Sequence, residues 1–313
     1  MQILLLHNPK AGDREHSKKQ LIASLAAFGH KTLYQSTKKP GWKKAFEKST
    51  DLVIAAGGDG TVAKVAWRLM DTGVPMSILP LGTANNLARS LDFTVPPEEI
   101  VAHLHRGKSQ PFDVGTVRGS CGKRYFLEAA GGGLLADYVR AAKVKEHKEA
   151  SSEQQMTRHL SALLKISAHY PARHWNISVD GKDISDRYLL WEAMNIRSAG
   201  PALNLAPRAA SDDGRLDFVA VREKERPLFT KYLDARLAGK KTRFPLHVRK
   251  FRELQINRRG ATMHFDGKVW PTKGHKPKSH SPIEIAVKPA ALMVWQPVLR
   301  SRSSFVLGCG GIL

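Results

Sequence analysis

The chain has 313 residues, 42% of them hydrophobic, which is long and apolar enough to bury two cores and too apolar for a disordered tail protein. Its 50 Lys and Arg against 28 Asp and Glu leave a net charge of +22, so a polyanionic partner is expected: phosphate, nucleic acid or an acidic membrane face. Two cysteines, Cys121 and Cys309, with no Cys-x-x-Cys or Cys/His cluster, exclude a disulfide scaffold and a zinc finger and fit a reducing cytosol.

Met1 to His7 has a four-residue apolar centre and no basic flank, so it is expected to be a buried first strand and not a signal peptide. Short apolar runs then alternate with helical stretches up to about residue 110. Strands are expected at 3–6, 51–56 and 76–79, and helices at 18–28, 62–70, 84–91 and 97–105. This βαβ pattern predicts a parallel sheet covered on both faces, with its strand-to-helix loops at one edge. After Pro111 the pattern becomes short alternating segments with Asp-Gly turns at 180–181, 213–214 and 266–267, which predicts an antiparallel sheet or sandwich. Residues 139–169 are polar and basic and are expected to be helical or partly mobile. No run of 18 uncharged apolar residues exists, and the apolar end 305–313 is expected to pack on the body or fray.

The most informative segment runs from Asp51 through Gly57-Gly58-Asp59-Gly60-Thr61 to Met70: strand, glycine turn, helix. Val62, Val65, Ala66, Leu69 and Met70 fall on one helix face, with Thr61 as a candidate N-cap. Glycines allow close backbone approach, and a helix start attracts phosphate. An acid inside such a turn points to a bridging magnesium ion or a positioned hydroxyl, or else to a simple cap at Asp59. Gly82-Thr83-Ala84-Asn85 repeats this pattern after the strand at 76–79, and the amide of Asn85 is expected to donate to phosphate or to cap its helix. Asn8 and Lys10 end the first strand at the same edge.

In residues 261–266 the apolar Ala261, Met263 and Phe265 alternate with Thr262, His264 and Asp266, which places Asp266 on the polar face at a strand end. Asp213 and Asp217 flank a hairpin turn whose carboxylates could hold a magnesium ion or serve the turn alone.

Six motifs in order, Asn8-Pro9 with Gly12, Gly57 to Thr61, Pro80 to Arg89, Asn204 to Pro207, Asp212 to Asp217 and Asp266-Gly267, resemble the diacylglycerol kinase catalytic-domain family of bacterial lipid kinases and sphingosine kinases. The resemblance extends from residue 2 to about residue 297. It implies an α/β fold: a three-layer nucleotide-binding domain with a parallel sheet (1–110, with about 291–313 returning to it) and an antiparallel β-sandwich domain (111–290). It also implies ATP and Mg2+ as cofactors and transfer of the γ-phosphate to the hydroxyl of diacylglycerol or a related lipid. Asn8, Gly57, Gly58, Asp59, Gly60, Thr61, Gly82, Thr83 and Asn85 are then the nucleotide-binding residues. Asp266 is the general base, Asp59 is its catalytic companion, and Asp213 and Asp217 are the candidate metal ligands.

Four positions depart from the family pattern: Lys268 where Asp-Gly-Glu is usual, Ala63 and Lys64 where Asn and Glu are usual, and Leu135 where many relatives carry Asp. A catalytically weak member that binds nucleotide or lipid is therefore an alternative, and a small-molecule kinase of the NAD type is another. Basic residues cluster in 236–252, which holds seven Lys or Arg, and in 268–278. For a lipid kinase they imply a cytoplasmic protein that visits an anionic membrane surface. Nucleic acid is the weaker partner, since aromatics make up only 7% and no RNA- or DNA-binding motif appears. No residue pattern speaks to oligomeric state.

Overall fold

A computed structural model describes residues 1–13, 16–119, 122–142, 151–257, 262–272 and 282–298. Cys121, Cys309, Ala261, the apolar end 305–313 and most of the basic run 268–278 lie outside the described residues.

The first lobe is built on parallel strands Gln2–His7, Lys31–Ser36, Leu52–Gly57 and Met76–Pro80, with Gln2–His7 between Lys31–Ser36 and Leu52–Gly57. Ile3 to Leu6 and Leu52 to Ala56 are buried on both faces, which is why they read as unbroken apolar runs. The expected Lys18 helix spans Lys18–Ala27 and starts on a capping box between Ser17 and Gln20. The second helix starts earlier than its apolar stripe suggests. It spans Asp59–Leu69, its N-cap is Gly58, and Thr61 lies within its first turn, so Thr61 is not the cap. The next helix is shorter than expected, Asn86–Ser90, and is followed by Pro97–His103.

The second lobe pairs two sheets. One runs Val248–Phe251, Leu216–Arg222, Asp186–Met194, Ala129–Gly133, Met263–Phe265, Lys268–Trp270 and is antiparallel throughout. Across a core containing Trp175, Trp191, Phe126, Phe251 and Ile285 lie Ile177–Val179, Glu253–Ile256, Lys108–Arg118 and Ile283–Gln296. Helices Leu134–Ala142, Ser152–His169 and Arg226–Leu237 cover the outer face of the antiparallel sheet over Leu189, Leu190, Met194 and Val221. The basic stretch at 139–169 thus ends in an 18-residue helix, with 143–150 outside the described residues.

The two lobes share one ten-stranded sheet. Ile283–Gln296 pairs with Lys108–Arg118 along its length; its first half belongs to the sandwich, and Val294 pairs in parallel with Met76 of the first lobe. The boundaries expected near 110 and 291 therefore fall inside two continuous strands. A register shift between Lys288 and Leu292 marks the crossing, and Asp113 pins it. The Asp113 carboxylate accepts from the N–H groups of Ala290 (2.8 Å) and Gly214 (2.7 Å).

Candidate active site

Three glycine turns meet at the carboxyl edge of the parallel strands, after residues 7, 57 and 80. They touch backbone to backbone. A Cβ on Gly82 would stand 2.3 Å from Gly58 Cα, and one on Gly12, whose φ is +52°, would stand 2.3 Å from the Leu81 carbonyl oxygen. Gly57 is required for another reason: a Cβ there would strike the Thr61 side chain at 2.6 Å. Only glycine permits this packing, and the result is a backbone surface next to the orphan N–H groups of the Asp59–Leu69 helix start.

The polar residues of these turns largely hold one another. Asn8 Nδ2 donates to Thr61 Oγ1 at 3.3 Å, and Thr61 is buried. Asn85 adopts a left-handed conformation, φ +49°; its Oδ1 accepts from Gly82 N at 2.9 Å and its Nδ2 donates to Gly82 O at 2.7 Å. The amide oxygen and one of the two amide hydrogens thereby close the turn, so Asn85 braces Gly82 and keeps one N–H to donate. A cleft of about 280 Å³ opens in front. Gly82, Thr83 and Asn85 line it together with His7, Gly12 and Arg89, which the motifs do not single out as ligands. Its far wall comes from the second lobe. Ser152, at the start of helix Ser152–His169, donates its N–H to Asp13 Oδ1 at 3.2 Å, and Gln155 Oε1 lies 3.5 Å from Thr83 Oγ1.

Asp266 ends its strand with φ +46° and turns its carboxylate onto the adjacent strand start. Oδ2 accepts from Leu127 N (2.8 Å), and Oδ1 accepts from Glu128 N (2.8 Å) and Ala129 N (3.3 Å). Desolvation outweighs these three bonds and the nearby His264 charge, and pushes the carboxyl up to about 6. Across the lobe boundary Asp59 Oδ1 accepts from Leu87 N at 3.1 Å, and desolvation raises its pKa too. Between them stands Glu128, an acid that motif reading passed over. Asn86 Nδ2 donates to its Oε2 at 2.9 Å, and desolvation, then the charges of Asp59 and Asp266, hold its carboxyl well above the usual range.

His264 does not face solvent as strand alternation suggests. It is buried, 2.9 Å from Glu192 Oε1, and the pair meets over Gly131, where a Cβ would strike the Glu192 carboxylate at 2.2 Å. Glu192, lone among Leu189, Leu190, Trp191, Ala193 and Met194, was the signal that could have revealed it.

Ala63 and Leu135 pack into the two apolar cores, whereas Lys64 and Lys268 are exposed. Asp213 and Asp217, the expected metal ligands, both face Lys250, whose Nζ lies 2.5 Å from Asp213 Oδ2 and 3.6 Å from Asp217 Oδ2. An ammonium group thus already neutralises the position assigned to a cation, and a metal does not fit there as the side chains stand. Among the described residues no group of three or more His, Cys, Asp or Glu is arranged to hold a metal ion.

Residues 2–117 match the diacylglycerol kinase catalytic domain, and residues 139–296 match the YegS C-terminal NAD kinase beta sandwich-like domain. The diacylglycerol kinase of Bacillus subtilis is 30% identical over 250 residues, 75% of this chain and 78% of that protein. A crystal structure of a diacylglycerol kinase from Bacillus anthracis superimposes with a TM-score of 0.65 at 20% identity, covering 95% of this chain and 97% of that one. Yeast NADH kinase shares the fold more distantly, with a TM-score of 0.51 at 10% identity over 96% of this chain and 84% of its own. With both family domains matched in order and the Bacillus subtilis relative covered over most of its length, the chain belongs to the family of diacylglycerol kinases and YegS-like lipid kinases.

Proposed function

We propose that this protein is an ATP-dependent lipid kinase that transfers the γ-phosphate to the hydroxyl of diacylglycerol or a related lipid. The observation that supports the proposal is the acid cluster where the lobes meet: backbone-held Asp266 and its neighbour Glu128 on the second lobe, with Glu128 bonded to Asn86 of the first and close enough to Asp59 to feel its charge. Phosphoryl transfer needs alignment and charge neutralisation more than covalent chemistry, and one carboxylate to orient the attacking hydroxyl and draw off its proton. Asp266 has that role. The turns at Gly12, Gly57 to Thr61 and Gly82 to Asn85 take the phosphates on main-chain amides, and Arg89 adds a cation at the cleft wall.

Asp59, the first residue of its helix, would offer a hard carboxylate oxygen to a magnesium ion carried by the nucleotide. When bound, magnesium neutralises charge on the phosphate oxygens. Lys250 fills the structural-metal role at Asp213 and Asp217 from within the chain.

Lys240, Lys241, Arg243 and Arg252 are exposed on the second lobe and suit an anionic bilayer, and no helix among the described residues is long and apolar enough to cross one. A second reading, a catalytically weak member that binds nucleotide or lipid, is favoured by the exposed Lys268 in place of an acid. Radiolabelled ATP offered with diacylglycerol, monoacylglycerol, a sphingoid base and NAD, with and without magnesium, separates the two. A labelled lipid supports the kinase; labelled NAD alone, or no labelled product, overturns it.

A further inference from the structure

The helix Asn86–Ser90 brings Arg89 to the wall of the nucleotide cleft, yet it has little of its own to hold it there. It has five residues, and its N-cap Asn85 gives it no side-chain hydrogen bond. A helix this short is marginal by itself, so its position is set by what binds its ends. The second lobe supplies that hold from one segment, 195–200, which follows the strand Asp186–Met194. At the helix start, Asn86 Nδ2 donates to Gly200 O at 3.0 Å. At the helix end, Arg197 Nη2 donates to the carbonyl oxygens of Arg89 (3.0 Å) and Ser90 (2.6 Å), and to Asp92 Oδ1 at 2.6 Å. The last carbonyls of a helix lack internal partners and carry partial negative charge, which a guanidinium suits. The segment is itself anchored: Asn195 is buried, and its Nδ2 donates to Asp113 O at 2.9 Å and Leu127 O at 3.0 Å. Arg89 is thus tied at two points, its carbonyl to Arg197 and its Nε to Ala84 O at 3.0 Å.

We propose that Arg197, which lies outside the six motif segments, is a positioning residue for the nucleotide site: by fixing the Arg89 and Ser90 carbonyls it sets the Arg89 guanidinium against the phosphates. The proposal deepens the kinase reading and rests on its nucleotide site, not on its lipid acceptor. Arg197 bonds Arg89 only through the main chain, so its influence on nucleotide passes through the place it gives that side chain. A residue of the second lobe thereby tunes phosphate binding on the first.

Calorimetric titration of the full chain with Mg-ATP, without lipid, compares wild type with Arg197→Gln, Arg89→Gln and the double variant. Arg197→Gln is expected to weaken ATP binding by about 10-fold, and Arg89→Gln by at least as much. The double variant should bind within about twofold of Arg89→Gln, because the first change acts only through the second. Arg197→Lys, which keeps the charge and can still reach a carbonyl, should recover part of the affinity. Thermal melting checks that each variant is folded; if Arg197→Gln is not, Arg197→Lys takes its place in the cycle. Wild-type affinity in the Arg197 variant, or losses that multiply in the double variant, overturns the proposal and leaves Arg197 as a purely structural contact. A wild type that binds no ATP overturns the kinase reading and this proposal with it. A wild type that binds ATP but labels no lipid overturns the lipid-kinase reading alone, and the cycle still decides the role of Arg197.

Discussion

Asp266→Asn isolates what the site costs the fold. In the folded protein the carboxyl is pushed up to about 6, against an ordinary 3.8. A carboxyl whose folded pKa exceeds its unfolded one stabilises the protein while protonated; that contribution is complete below about pH 4 and is lost as pH rises through about 6. The difference of roughly two pKa units corresponds to about 3 kcal/mol. Asparagine is neutral at all pH values, but its Nδ2 cannot accept the main-chain N–H that one carboxylate oxygen takes, a cost that does not change with pH; relative to wild type the variant should therefore gain about 3 kcal/mol between pH 4 and pH 8. The three main-chain bonds are already included in the folded pKa and are not counted again. For a chain of this size the gain reads as a rise of several degrees in Tm at the higher pH. The same variant should lose about 10²- to 10⁴-fold in kcat. Melting curves of both proteins across pH 4 to 8 provide the test. A stability difference that does not change with pH, or that shifts against the variant as pH rises, refutes the burial argument.

Gly82→Ala should cost more than about 2 kcal/mol and abolish ATP binding, because its Cβ meets the Gly58 Cα at 2.3 Å and neither backbone can withdraw; calorimetric titration with ATP and a thermal melt check both effects. Lys250→Met should leave Asp217, which is buried, without its cation and lower stability by about 1–3 kcal/mol, and millimolar Mg2+ should restore most of the loss. Wild type should melt at the same temperature with Mg2+ or with a chelator; a loss on chelation places a metal beside Lys250. Replacing Lys240, Lys241 and Arg243 by Gln should weaken co-sedimentation with anionic vesicles by about 100-fold at low salt, at about 1 kcal/mol per cation, and unchanged sedimentation removes this face from the membrane contact.

The parallel strands were legible because burial on both faces writes itself as an uninterrupted apolar run, as in Leu52 to Ala56. Lys31–Ser36 escaped for the opposite reason: it is the edge strand of that sheet, only partly buried, and its Lys-Thr-Leu-Tyr-Gln-Ser has no apolar run. The glycine turns were legible as motifs, but the reason for each glycine was not, since Gly82 and Gly58 meet across 24 residues of sequence. That Asn85 braces the Gly82 turn is not legible, since its left-handed backbone, which folds the amide onto Gly82, has no mark in the sequence. Arg226–Leu237 was missed because its apolar residues do not form a clean stripe, although Phe229, Tyr232 and Leu233 are buried. Glu128 and Asp113 were invisible for a common reason. Each is one acid in an apolar context whose carboxylate partners lie far along the chain, Asn86 in one case and Gly214 and Ala290 in the other.

The most direct test of the account is a crystal structure with a non-hydrolysable ATP analogue and magnesium. The account predicts the triphosphate against the turns at Gly12, Gly58 and Gly82, with the γ-phosphate directed toward the Asp266 carboxylate. A nucleotide bound elsewhere, or phosphates held away from Asp266, contradicts it.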